Sequence, residues 1–224
     1  LTRSSAASDV YKRQLIRSSN IGTLLIARQV GEERYKKFIR DTKLLDSPDL
    51  QLKELGKPIN FKWNKCKLET ISYGHGITTT PLQAVTVYAA LVNGGIMIKP
   101  SLVKGKNKKS FGQIISKKTS DKINYILRKV VTDKDGTASL ADIHGYSVGG
   151  KTGTSQNYSN KNENLNTFIS IFPSQKPKYA LLVMLENPQI AKDLVYNYRG
   201  TKVKGTRNEA GWNSVYVAGK IIEK

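Results

Sequence analysis

Near residue 146 the apolar residues of this chain change their rhythm, and that change limits what it can fold into. Upstream they recur at helical spacing. Leu82, Val85, Tyr88 and Ala89 form a stripe behind Thr80-Pro81, with proline in the first turn, and Asn93-Gly94-Gly95 stop that helix. Ile123, Ile126, Leu127 and Val130 share one face of a second helix, capped by Ser120-Asp121 and running to about Val131. Ser19-Asn20 would cap a helix from Ile21 to Val30, and Tyr35, Phe38 and Ile39 mark another over Glu33 to Arg40. Residues 41–70 read as loop, and 96–118 as short strands with a basic loop. Downstream, Tyr146 to Ser155, Thr167 to Phe172 and Tyr179 to Leu185 read as strands, and Ser214 to Glu223 as a closing amphipathic helix. Helices first, antiparallel strands next and a helix last predict an α+β fold with helices packed on a sheet. A mostly helical lobe is expected over 15–145, and the sheet with its C-terminal helix over 146–224.

Residues 1–14 stand apart. Ser4 to Gln14, SSAASDVYKRQ, resemble the conceptual translation of a transposase sequencing adapter. They are therefore expected to be a disordered artefact, with genuine protein beginning near Leu15 as the C-terminal part of a longer chain.

The formal charge of +20 is concentrated where Lys99, Lys104, Lys106, Lys108, Lys109, Lys117, Lys118 and Lys122 crowd together. Such a surface attracts phosphate, but this stretch has almost no aromatics to stack bases and no nucleic-acid motif nearby. A solvated basic face is the better reading, and no nucleic-acid partner is expected. No run approaches the roughly 18 apolar residues that span a bilayer. The single cysteine, Cys66, cannot close an internal disulfide, and two histidines far from it make no metal constellation. Neither a metal nor a cofactor is expected.

Two motifs compete over one segment. Gly145 to Thr152 reads GYSVGGKT, which satisfies the phosphate-cradling pattern G-x-x-x-x-G-K-T. That loop must run directly into a helix whose N-terminus holds the phosphates. Here the Lys-Thr pair runs into Gly153-Thr154-Ser155-Gln156, which is poor helix material. The alternative places Lys151-Thr152-Gly153 on a strand that edges a cleft. There a cation, a hydroxyl and a glycine without a side chain let a carboxylate-bearing substrate lie against the strand backbone.

The second reading becomes specific when the segments are taken in order. Ser18-Ser19-Asn20-Ile21-Gly22 comes first, then Ser72-Tyr73-Gly74-His75-Gly76 through Thr80-Pro81-Leu82-Gln83, then Asn93-Gly94-Gly95. Gly149-Gly150-Lys151-Thr152-Gly153-Thr154-Ser155-Gln156 follows, then Phe172-Pro173 and Gly211-Trp212-Asn213. Together they resemble class B penicillin-binding proteins, in particular the division-specific transpeptidases of the alphaproteobacterial type. The resemblance covers nearly everything after residue 14. It implies the penicillin-binding and serine β-lactamase-like transpeptidase fold, with an antiparallel sheet, packed helices and an all-helical lobe, truncated at the N-terminus.

Roles follow from the resemblance by position. Ser18 would relay a proton to the leaving amine, and Asn20 would hydrogen-bond a general-base lysine and the substrate amide. Lys151 would supply positive potential beside Ser18. Thr152, Gly153 and Thr154 would bind the terminal carboxylate of a stem peptide, and the Thr154 backbone N–H would be an oxyanion donor. The nucleophilic Ser-x-x-Lys motif is absent from its expected place before Ser18. Its only occurrence, Ser101-Leu102-Val103-Lys104, falls in a basic loop-like stretch and reads as coincidence. His75 and His144 read as packing or hydrogen-bonding groups, and Trp63 and Trp212 as core.

The implied function is a peptidoglycan D,D-transpeptidase acting in septal wall synthesis through an acyl-enzyme. Stem peptides ending in D-Ala-D-Ala, β-lactams and divisome membrane proteins are the expected partners. The expected location is the periplasmic face of the inner membrane, with the anchor upstream of this chain. A serine β-lactamase, a D,D-carboxypeptidase and a penicillin-sensor domain share the motifs and remain alternatives.

Overall fold

The computed structural model describes residues 2–50, 52–59, 63, 67–104, 109–156 and 164–224. The chain divides into two compact units, Leu1–Gln14 with Ser19–Ile123, and Leu15–Ser18 with Asn124–Lys224.

Helix α1 (Thr2–Arg17), assigned to the first unit up to Gln14 and to the second from Leu15, contains neither glycine nor proline, and Asp9 pairs with Lys12 one turn on. It ends where Ser18 takes a left-handed conformation, φ 57. The Ser18 N–H then bonds the Leu15 carbonyl, and the Ser19 N–H the Gln14 carbonyl, which satisfies two carbonyls that the helix end leaves open. Ser19 at once caps α2 (Asn20–Val30), its hydroxyl accepting from the Gly22 N–H. Gly31, φ 81, separates α2 from α3 (Glu32–Asp41). After α4 (Lys67–Ser72), Thr80 caps α5 (Pro81–Val92), whose Val87 and Ala90 pack with Met97 in a small core. Strands β1 (Ile96–Ile98) and β2 (Ser110–Gln113) form an antiparallel hairpin.

Helix α6 (Lys117–Thr132) crosses the boundary, with its second half in the second unit. That unit is built on an antiparallel sheet ordered β3 (Gly149–Gln156), β4 (Asn164–Phe172), β5 (Tyr179–Glu186). Among the described residues, β3 and β5 are therefore its edges. Hairpin β6 (Val195–Tyr198) and β7 (Thr201–Lys204) follows, then α7 (Ser214–Glu223). Phe168 and Val183 of the sheet, Val130 and Val131 of α6, and Val215, Ala218 and Ile222 of α7 make one buried core. Each of these valine, isoleucine and phenylalanine side chains contributes roughly 1.5–3 kcal/mol by leaving water.

Four expectations are corrected. Residues 2–14, expected to be disordered, are helical; they hold no glycine or proline to break the helix, and Ala6, Ala7, Lys12, Arg13 and Gln14 favour it. Helix α6 begins at Lys117, three residues early, because Ser116 rather than Ser120 takes the capping role and accepts from the Thr119 N–H. The boundary lies between Ile123 and Asn124 rather than at 145, since Val130 and Val131 belong to the sheet's core. Helix α4 and the β6–β7 hairpin went unread. Cys66, and Lys106 and Lys108 of the basic stretch, lie outside the described residues.

Candidate active site

Strand β3 sets the site. In its register with β4, Thr152 lies opposite Phe168 and Lys151 opposite Ile169, so consecutive residues send their side chains to opposite faces. The glycines make this packing possible. A Cβ on Gly150 would lie 2.5 Å from the Phe168 ring, and one on Gly153 would lie 2.6 Å from the Thr167 hydroxyl.

The Lys151 ammonium donates to the Ser18 hydroxyl at 2.5 Å and to the Thr152 carbonyl at 3.2 Å. Burial lowers its pKa from 10.5 to about 8, through the hydration lost by the ammonium. An amine of that pKa can hold or release a proton near neutral pH, and its closest partner is a hydroxyl. Ser18 reaches it from the left-handed turn that ends α1.

Thr152 and Thr154 line a groove of about 450 Å³ together with Ser18, Tyr198, Arg207 and Trp212. Its far wall is aromatic, with Tyr198 and Trp212 stacked at 5.0 Å and the Arg207 guanidinium 5.6 Å from the Trp212 ring. An asparagine network fastens this wall to the sheet. Buried Asn166, opposite Thr154 in β4, donates to the Asn208 carbonyl at 2.6 Å, and Asn213 donates to both the carbonyl and side-chain oxygens of Asn208. The groove thus carries the hydroxyls of Ser18, Thr137, Thr152, Thr154 and Tyr198, the Arg207 cation and the Glu209 carboxylate, with the lowered-pKa Lys151 amine bonded to Ser18. Its hydroxyls and guanidinium can donate to an anionic ligand.

Sequence reasoning brought Ser18, Lys151, Thr152, Gly153 and Thr154 to one place, and they lie together here. Asn20 is the exposed first residue of α2 in the first unit. Trp212, read as core, instead lines the groove, because the loop before α7 turns its ring outward onto Tyr198. Lys151-Thr152 sits inside strand β3 rather than at the N-terminus of a helix, which removes the phosphate-loop reading. Ser101 lies in an exposed turn, its hydroxyl engaged with the Val103 backbone rather than with a helical lysine. Thr137 was missed. Its hydroxyl lies 2.8 Å from that of Thr152, and no local pattern marks a contact across fifteen residues.

Residues 3–207 match the family model described as the penicillin binding protein transpeptidase domain. The chain is 29% identical over 222 residues to the probable peptidoglycan D,D-transpeptidase FtsI of Caulobacter vibrioides, an alignment covering 92% of this chain and 36% of that protein. It is 30% identical over 198 residues to the stage V sporulation protein D of Bacillus subtilis, covering 80% and 30%. The chain thus spans about a third of the length of these curated relatives. Among solved structures, penicillin binding protein 3 of Mycobacterium tuberculosis in complex with ampicillin superposes with a TM-score of 0.76 at 24% identity. That match covers 94% of this chain and 50% of the other, and shows a shared fold.

Proposed function

The chain belongs to the penicillin-binding protein transpeptidase domain family, and from that premise we propose that it is part of a peptidoglycan D,D-transpeptidase. The observation that carries this reading is the 2.5 Å contact between Lys151 and Ser18 beside the Thr152 and Thr154 hydroxyls. In the whole protein a serine from upstream of Ser18 attacks the penultimate D-Ala carbonyl of a stem peptide, forming an ester and releasing D-Ala. An amine of a neighbouring strand then displaces the serine, and a new amide forms. Ser18 and Lys151 pass the proton to the leaving amine, and Asn20 assists the base. Thr152, Gly153 and Thr154 hold the terminal carboxylate, with the Thr154 N–H turned to the oxyanion.

β-Lactams carry a carboxylate beside a strained amide and occupy the same groove. The likeness to the probable peptidoglycan D,D-transpeptidase FtsI of Caulobacter vibrioides favours a role in division, and we propose divisome membrane proteins as partners. Among the described residues no helix is long and apolar enough to cross a membrane. We place the domain at the periplasmic face of the inner membrane, held by an anchor outside this chain.

A fluorescent penicillin tests the reading. The 224-residue chain alone should take no covalent label, whereas a longer reading frame with the upstream serine should. In that longer protein Lys151→Ala should slow labelling by about a hundredfold or more, the usual contribution of a positioned acid–base group. Labelling at an unchanged rate would sink the assignment.

A further inference from the structure

We propose that Thr137 is a positioning residue for carboxylate recognition, setting the direction of the Thr152 hydroxyl, and that Arg199 clamps the turn that carries it. The inference rests on the reading of the groove as the seat of a peptide carboxylate.

The two threonine hydroxyls lie 2.8 Å apart, so one of them donates to the other. A carboxylate only accepts hydrogen bonds. When Thr137 donates to Thr152, the Thr152 proton is left for the anion. In the reverse arrangement Thr152 spends its proton on Thr137 and presents only lone pairs. Thr137 therefore orders a chain of hydroxyl dipoles that ends at the ligand.

This works only if Thr137 is held still, and its surroundings leave little slack. A Cβ on Gly136 would lie 2.3 Å from the Val130 carbonyl, and one on Gly211 would lie 2.6 Å from the Thr137 carbonyl. Arg199 closes the turn from the other side. Its guanidinium donates to the carbonyls of Asp133 at 2.8 Å, Gly136 at 3.2 Å and Lys134. Arg199 is itself fixed, since it and Gly200 form the two-residue turn between β6 and β7, with φ 53 and 82. A planar fork can serve several carbonyls at once, which a lysine ammonium on a flexible stem cannot do in the same geometry. The same turn carries Asp135, which lies 4.0 Å from Arg17, the neighbour of Ser18. One guanidinium thus steadies a turn whose Gly136 and Thr137 line the groove and whose Asp135 faces the residue before Ser18.

The test is a titration of the 224-residue chain with N-acetyl-D-alanyl-D-alanine and with its C-terminal amide, followed by amide NMR shifts. The wild type should bind the acid more tightly than the amide. Thr137→Val should lower that acid-to-amide ratio by roughly three- to tenfold, the value of one hydrogen bond, and Thr137→Ser should restore it. Arg199→Lys should lower the ratio in the same direction in a folded chain. A Thr137→Val chain that keeps the wild-type ratio overturns the inference while leaving the proposed function standing. So does one that loses acid and amide binding by the same factor, the mark of a merely structural role. A folded Arg199→Lys chain with an unchanged ratio removes the clamp. A wild type that binds neither ligand, or both alike, overturns the reading of the groove and this inference with it.

Discussion

The Lys151 ammonium rests 2.5 Å from the Ser18 hydroxyl across 133 residues of sequence. Neither residue is placed cheaply. The lysine is desolvated, and the serine occupies a left-handed backbone conformation. Both strains gather at one contact, which is where active sites keep them.

The lysine makes stability depend on pH in a predictable direction. Its folded pKa of about 8 lies below its ordinary 10.5, so between those values the unfolded chain binds more protons. Below about pH 8 the full penalty stands, on the order of 3 kcal/mol at most, and it is relieved as pH rises toward 10.5. Lys151→Met should therefore raise the urea midpoint at pH 7, and its advantage over the wild type should shrink by pH 10. Comparing the two chains cancels the tyrosine titrations common to both. An advantage that stays constant over that range would contradict the lowered pKa.

At Ser18 backbone and hydroxyl can be separated. A left-handed residue without glycine's freedom is disfavoured by roughly 1–2 kcal/mol. Ser18→Gly should then be more stable than Ser18→Ala by about 1 kcal/mol in chemical denaturation. Both variants should equally lose whatever the hydroxyl does for ligand binding. Equal stabilities would mean that the turn carries no strain.

The glycines of β3 should differ in their tolerance. Gly150→Ala sets a methyl 2.5 Å from the Phe168 ring and 2.6 Å from the Ile169 carbonyl, neither of which can turn aside. A loss of about 2–3 kcal/mol is expected, near the upper end for overpacking. Gly153→Ala meets only the Thr167 hydroxyl, which can rotate, and should lose less than about 1.5 kcal/mol. Thermal melts that reverse this order would show that the sheet relaxes at Gly150.

Much of the fold was legible because short-range chemistry wrote it. Thr80-Pro81 gave the start of α5, and Ser214 to Glu223 gave α7. The order of the Ser18, Lys151 and Thr154 motifs pointed to one groove. What escaped depends on contacts far apart in sequence. The β6–β7 hairpin turns on Arg199-Gly200, a pair without the usual Asn-Gly signal, and its arginine is ordered by carbonyls more than sixty residues upstream. Trp212 looks like core until the asparagine network around Asn208 is seen to hold its loop over the sheet edge. The unit boundary inside α6 is invisible to periodicity, because the same apolar face continues across it.

The left-handed turn at residue 18 also bears on how this position would drift under selection. A library screened only for soluble, protease-resistant protein should enrich glycine there, since the backbone alone favours it. A library screened for capture of an antibiotic should keep serine and tolerate the weaker fold. Opposite outcomes from the two screens would mark residue 18 as held by chemistry rather than by architecture.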